Sequence, residues 1–315
     1  MKEQLSKKYD ELIEINEKFI QKYLRKGYKK NIFLEILLTI LVIPLFALSL
    51  ALSLFFFEEL GFFIFFLGLF VFLNSYRKMS LNFTERVALT LLKELKFVIE
   101  VDSKKYISKN IYQQANFRDF YYNRYRGEKY IKVNIDNNDI EMSKVFVEEH
   151  CRGSNHDFHT YTRFNGIVIV SNLSEVITDG YIHIFNDKDD SRVNLFKKQN
   201  KEKVNMDSME FEMEFDVYAT DSIVALEILT SDMMQKFIDN KKKIDCKYEV
   251  SITKNMIIMR IFKNENIFEE RCQKGKLSPT AEGVKEFILR DVEFIDNVSR
   301  FISDITCDIC NKFNI

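Results

Sequence analysis

Between Ile36 and Phe57 the chain runs for twenty-two positions without a charged residue, and Leu60–Tyr76 adds seventeen more. A helix that crosses the hydrocarbon of a bilayer takes about 20 apolar residues. The stretch 32–78 is therefore predicted to be two spans joined at Glu58-Glu59, since a charge in the hydrocarbon costs at least a few kcal/mol. A buried soluble helix would carry a polar stripe, and neither run has one. Pro44 is tolerable in a spanning helix. Arg25, Lys26, Lys29 and Lys30 precede the first run, and Arg77 and Lys78 follow the second. The positive-inside bias then puts both flanks in the cytoplasm. The expected localisation is the plasma (inner) membrane, with two spans and both termini cytoplasmic. The apolar run is too long for a signal h-region and lacks a small-x-small exit, so a retained anchor is expected.

The expected divisions are 1–31, an amphipathic N-terminal helix; 32–78, the transmembrane hairpin; and 79–315, a cytoplasmic domain. Residues 1–79 hold 11 basic and 8 acidic side chains of the chain's 46 and 47, leaving about −4 for the rest. That balance gives no global pull toward nucleic acid or anionic lipid. Five scattered cysteines do not form a disulfide framework, and a reducing compartment fits them. Two prolines and nine glycines leave few forced breaks.

Leu5, Tyr9, Leu12, Asn16, Phe19 and Tyr23 are spaced 4-3-4-3-4. This is a heptad seam with a polar residue at an a-type position, able to pair two copies through residues 5–23. The same spacing suits an amphipathic helix lying on the membrane or on the chain's own domain.

Beyond the anchor, Leu81–Phe97 reads as helix and 97–101 as the start of a strand. Strand alternation follows in 129–135, in 140–148 with one slip, and in 181–185. Asn165-Gly166, between apolar runs 158–164 and 167–170, reads as a hairpin turn. Phe211–Tyr218 alternates as a further strand, with Phe211, Phe215 and Val217 on one face. Asp221 then caps a helix over 223–229, and Ser231-Asp232 opens a second one through Asn240. Residues 246–252 and 256–262 form another hairpin, and a long helix fills 279–311. The fold class predicted is α+β: the N-terminal helix and membrane hairpin, then an antiparallel or mixed sheet with packed, segregated helices and a long C-terminal helix.

In the run MDSMEFEMEFDVYATDSIVALEILTSDMMQKF, Glu210, Phe211, Phe215, Val217, Tyr218, Asp221, Ala225, Ile228, Leu229, Thr230 and Met233 are spaced distinctively. This pattern resembles a bacterial family of uncharacterised function with paired N-terminal spans and a cytoplasmic domain. Phe164-Asn165-Gly166, Arg126-Gly127-Glu128 and Asn266 with Phe268-Glu269 resemble further family segments, so the resemblance covers roughly 30–310. It implies architecture and carries no reaction. The motif itself reads as a packing unit of strand and helix.

Three of four histidines and a cysteine fall within ten residues: His150, Cys151, His156 and His159. Such side chains suit zinc or copper. The spacing matches no closed structural zinc site, and the segment reads as an exposed loop between strands. They are the candidate ligands should a metal be held, but neither a metal nor another cofactor is expected. Cys307 and Cys310 sit near a helix C-terminus, which disfavours the thiolate. Residues 117–132 interleave aromatics with Arg118, Arg124, Arg126, Lys129 and Lys132, as single-strand binders do. The acidic balance of the domain argues against that, and no nucleic acid partner is expected. No phosphate-loop, dinucleotide, nucleophile-elbow or zincin motif occurs in the sequence. The function expected is a membrane-anchored interaction module working with a protein partner and the lipid bilayer. The alternative is a membrane-tethered enzyme, metal-dependent through the histidine cluster.

Overall fold

A computed structural model describes residues 92, 97–117, 122–152, 158–186, 201–244, 246–263 and 281–313, with only the backbone course given at 152, 158 and 281–289. The strands are β1 (Val98–Asp102), β2 (Arg124–Ile135), β3 (Asn138–Arg152), β4 (Phe158–Asn172), β5 (Ile182–Phe185), β6 (Glu202–Val204), β7 (Asp216–Ala219), β8 (Tyr248–Ile252) and β9 (Met256–Ile261). The helices are α1 (Lys109–Gln114), α2 (Met209–Glu214), α3 (Ser222–Ile228), α4 (Ser231–Ile244) and α5 (Ala281–Phe313).

All nine strands form one sheet in the order β1-β2-β3-β4-β9-β8-β5-β7-β6. Every neighbouring pair is antiparallel. This corrects the predicted α+β class, with its antiparallel or mixed sheet and segregated helices. The described residues are mostly a large antiparallel sheet with few helices, and none of those helices is long and apolar enough to cross a membrane. The mixed-sheet option fails for a physical reason. Parallel pairs need long crossovers, whereas here β2–β3 and β8–β9 close through turns of a few residues. The N-terminal helix over 1–31 and the hairpin over 32–78 lie outside the described residues.

The turn chemistry sits elsewhere than the sequence suggests. Asp136 and Asn137 carry φ of 52° and 66° and join β2 to β3, the two-residue turn whose twist suits a hairpin. Asn165-Gly166 is no turn: β4 runs straight through it, pairing Phe146 with Asn165 and Val145 with Gly166. Gly166 is needed because β9 passes close. A Cβ there would run into the Ile261 carbonyl oxygen and the Phe164 ring. A second correction concerns 211–218, where only Asp216–Ala219 is strand. Phe211 and Phe215 are spaced i, i+4 as well as i, i+2 apart from Met213, so periodicity alone does not choose. Ser208 chooses: its hydroxyl accepts from Phe211 N at 3.3 Å, and Glu210 and Glu212 fill the first turn of α2, where carboxylates favour the helix start. The two rings stack at 4.9 Å between centroids.

The alternation of the strands gives the sheet two different faces. On one, Ile169, Met259, Val250 and Ile184 lie in successive register across β4, β9, β8 and β5 and are buried. Helices α2, α4 and α5 cover this face. Phe237 of α4 meets Phe211, Phe215 and Phe301 edge-on at 6.1, 5.7 and 5.2 Å, and Phe301 of α5 meets Tyr248 at 6.2 Å. Two hydroxyls of α5 tie it to the sheet: Ser303 Oγ donates to Ile135 O at 3.0 Å and Thr306 Oγ1 to Ser171 Oγ at 3.0 Å.

The other face gathers Val145, Val147, Phe164, Val168, Val170 and Ile258 under α1 and its flanks. Ser108 caps α1. Ile107 N donates to Ser143 Oγ at 3.0 Å and Ser251 Oγ to Ala115 O at 2.7 Å, so α1 is tied at both ends. This helix was not anticipated from the sequence, although Ser108 followed by Ile111, Tyr112 and Ala115 carries a cap and a short apolar face.

Candidate functional site

The sequence singled out His150, Cys151, His156 and His159. His150 and Cys151 stand on β3 and His159 on β4, while His156 lies outside the described residues. Register sets Cys151 opposite His159 and His150 opposite Thr160. Successive residues of a strand point to opposite faces, so His150 points away from the other two. Its ring is engaged by protein: Nε2 lies 3.1 Å from Arg124 Nη1 and Nδ1 lies 3.2 Å from Thr160 Oγ1. Among the described residues no group of three His, Cys, Asp or Glu side chains is placed to hold a metal. Cys307 accepts from Asn138 Nδ2 at 3.1 Å, and burial pushes the Cys310 thiol above its ordinary value. Of the aromatics within 117–132 that the structure describes, Phe117 is buried, Tyr122 and Tyr125 lie against the α1 cluster, and Tyr125 OH donates to Ile107 O at 2.8 Å.

The second sheet face holds a charged layer that no sequence motif announces. Glu249 on β8 and Arg260 on β9 are register partners. Arg260 Nε donates to Glu249 Oε2 at 2.6 Å and Nη1 to Tyr112 OH at 2.9 Å. The guanidinium also sits 4.3 Å from the Phe117 ring centroid. Beside it, Lys201 Nζ lies 2.8 Å from His183 Nε2 and donates to Asn116 O at 3.4 Å. Burial lowers Lys201 to about 8. Burial first, then Lys201 and Arg260, holds His183 well below its usual value. A neutral imidazole can accept the lysine proton, so the pair is chemically consistent. All these side chains are buried under α1. The only sequence signal was two opposite charges at mirrored places in a predicted hairpin, and such a pair could equally have faced water.

A cleft of about 520 Å³ opens between α4 and the end of α5, with Asp232, Lys236, Asp239, Asp308 and Lys312 among its lining residues. Both of its lysines are engaged. Lys236 pairs with Asp308 at 2.5 Å, and Lys312 donates to Glu227 O.

The remaining feature is the β6–β7 end of the sheet. β7 is flanked in the chain by α2 before it and α3 after it. Asp221 caps α3, its Oδ1 accepting from Ile223 N at 2.9 Å and Val224 N at 3.2 Å, as predicted. The inward side chains Phe211, Phe215, Ala225 and Ile228 are buried, but Met209, Met213, Ile223 and Leu226 are 80%, 66%, 72% and 47% exposed. Helical spacing puts Met209 with Met213 on one face of α2, and Ile223 with Leu226 on one face of α3. These four are half of the eight large hydrophobics exposed among the described residues. Residues 204–235 also contain eight acids, Asp207, Glu210, Glu212, Glu214, Asp216, Asp221, Glu227 and Asp232, and neither lysine nor arginine. Two of these are consumed: Lys203 pairs with Asp216 at 2.8 Å and Lys241 pairs with Glu214. Asp207, Glu210, Glu227 and Asp232 are exposed.

Together these features describe a class: an antiparallel-sheet module with a helix-flanked, apolar and acidic end. Residues 162–306, from within β4 to within α5, match the model of a family described as a protein of unknown function (DUF3137). That span includes the Glu210–Met233 motif and Phe164–Gly166, starts after Arg126-Gly127-Glu128, and is shorter than the 30–310 implied by the resemblance. No curated protein matches the chain. Among solved structures, the crystal structure of the mycobacterial trehalose monomycolate transport factor A, TtfA, is similar at 10% identity and a TM-score of 0.37, covering 70% of this chain and 96% of that one. A likeness of that degree carries nothing over to this chain.

Proposed function

We propose that this chain is an interaction module that presents the β6–β7 end of its sheet to a protein partner. The observation that supports it is the concentration of exposed Met209, Met213, Ile223 and Leu226 on the two short helices flanking β7. Single exposed apolar side chains are ordinary, whereas a gathering of them marks a contact surface. The matched family, being of unknown function, leaves that reading open. Working at a membrane, with both termini cytoplasmic, belongs to the same proposal and is supported by the composition of 36–76 and its basic flanks alone. Pairing of two copies through residues 5–23 likewise has only the heptad spacing behind it.

A photo-crosslinking amino acid placed at position 213, 223 or 99 of the full chain in cells tests the central claim. Ile99 is exposed on β1, the opposite edge strand. The expected result is one shared protein adduct from positions 213 and 223 that is missing from position 99. Lipid adducts alone, or the same adducts from all three positions, would overturn it.

A further inference from the structure

We infer that the segment received at the β6–β7 end is amphipathic and cationic: a short stretch of another protein that sets lysine or arginine beside apolar anchors. The inference rests on the interaction reading above and adds the chemistry of the partner. Three observations carry it. First, the exposed anchors come in two pairs, Met209 with Met213 on α2 and Ile223 with Leu226 on α3, the helices that flank β7 in the chain. Second, the charges around the anchors are mostly acidic: Lys203, Lys241 and Lys312 reach this end but are engaged with Asp216, Glu214 and the Glu227 carbonyl. Glu210 stands beside Met209 and Glu227 beside Leu226, both exposed, with exposed Asp207 and Asp232 at the two ends. No basic side chain interrupts residues 204–235. Like charges repel a wrong partner and opposite charges steer the right one. Third, the acidic balance discriminates between classes of occupant. An anionic lipid surface or a nucleic acid would meet repulsion here, because both present negative charge.

The test uses the full chain and three probes: an 18-residue fluorescent helix of leucine and lysine in amphipathic order, its leucine–glutamate counterpart, and vesicles rich in phosphatidylserine. The lysine peptide is expected to bind, the other two not. Doubling the salt should weaken binding several-fold. Met213→Ser with Ile223→Ser, and separately Glu210→Lys with Glu227→Lys, should each weaken it at least tenfold, with Ile99→Ser as an unaffected control. All are surface changes, and an unchanged thermal transition certifies each fold. Equal binding of the glutamate peptide, or full binding by either double variant, would overturn the inference. The crosslinked peptide from positions 213 and 223 separates the two claims. A basic amphipathic segment of another protein supports both. An acidic or uncharged segment of another protein overturns the inference and leaves the interaction reading standing. A segment of this same chain overturns the inference, and lipid alone overturns both.

Discussion

The two faces of the sheet are built from the same strands yet held by different physics. The face under α2, α4 and α5 is closed by interlocking rings, Phe211, Phe215, Phe237, Tyr248 and Phe301. The face under α1 carries Glu249, Arg260, His183 and Lys201 in its interior. Dispersion and burial tolerate modest change of shape, whereas a buried ion pair tolerates the loss of neither partner. The difference teaches that one sheet can be robust on one side and exacting on the other.

Single substitutions should expose this. Arg260→Leu leaves Glu249 buried without its cation, which costs about 3–5 kcal/mol. Phe237→Ala on the ring face removes a buried aromatic and also costs about 3–5 kcal/mol. The faces part in the rescue: adding Glu249→Leu to Arg260→Leu should restore most of the loss, because both charges have then gone. No second truncation should rescue Phe237→Ala. Denaturant unfolding of the full chain measures all four states, and a double variant no better than Arg260→Leu would break the comparison. Gly166→Ala comes next, at about 1–3 kcal/mol for forcing atoms into a packed place. Asp221→Ala should cost about 1 kcal/mol, the worth of an N-cap.

The pH response is smaller and belongs to the charged face. His183 is held below its usual value of about 6.5. Its folded state therefore disfavours the proton. The stability this gives is complete above about pH 6.5 and is lost as the pH falls further, once the unfolded chain gains a proton that the folded one refuses. Lowering the pH from 7 to 5 should thus lower Tm, and His183→Phe should flatten that slope. Lys201, lowered to about 8, acts at the other end: stability rises as the pH climbs from about 8 toward the unfolded value near 10.5. A slope unchanged in His183→Phe would remove the charged layer from the explanation. Smallest of all, Met213→Ser on the exposed face of α2 should stay within about 0.5 kcal/mol of the parent.

What could be read from the sequence follows the same division. Strands with alternation, such as 129–135 and 140–148, are found where expected, inside β2 and β3, because a half-buried or buried strand writes its period into the chain. Asp221 as a cap was legible, since a carboxylate before an apolar helical run has one good use. Phe211 was misread because i, i+2 and i, i+4 share residues, and the capping Ser208 was passed over. Asn165-Gly166 was misread because a glycine that admits a neighbouring backbone looks, in one dimension, like a glycine that turns. The charged layer was not legible: Glu249 and Arg260 are eleven positions apart, and nothing in their identity says that the hairpin turns them inward. Nor did the exposed methionines of α2 declare themselves, since in a strand reading Met213 belonged to the core. The histidines drew notice by their proximity in sequence, yet alternation along β3 separates His150 from Cys151.

The seam between β4 and β9 bears on how the chain reaches this state at all. β2, β3 and β4 can zip together as successive neighbours, but Ile167 must wait for Ile261. The loop closed by that pairing is long, and long-range pairing slows folding even where it scarcely alters stability. Gly166 sits at the head of this seam, beside the Ile261 carbonyl. A methyl group placed there obstructs the step in which two early-formed halves become one sheet, so in stopped-flow refolding Gly166→Ala should slow the main phase, whereas Asp221→Ala should leave it largely unchanged and hasten unfolding.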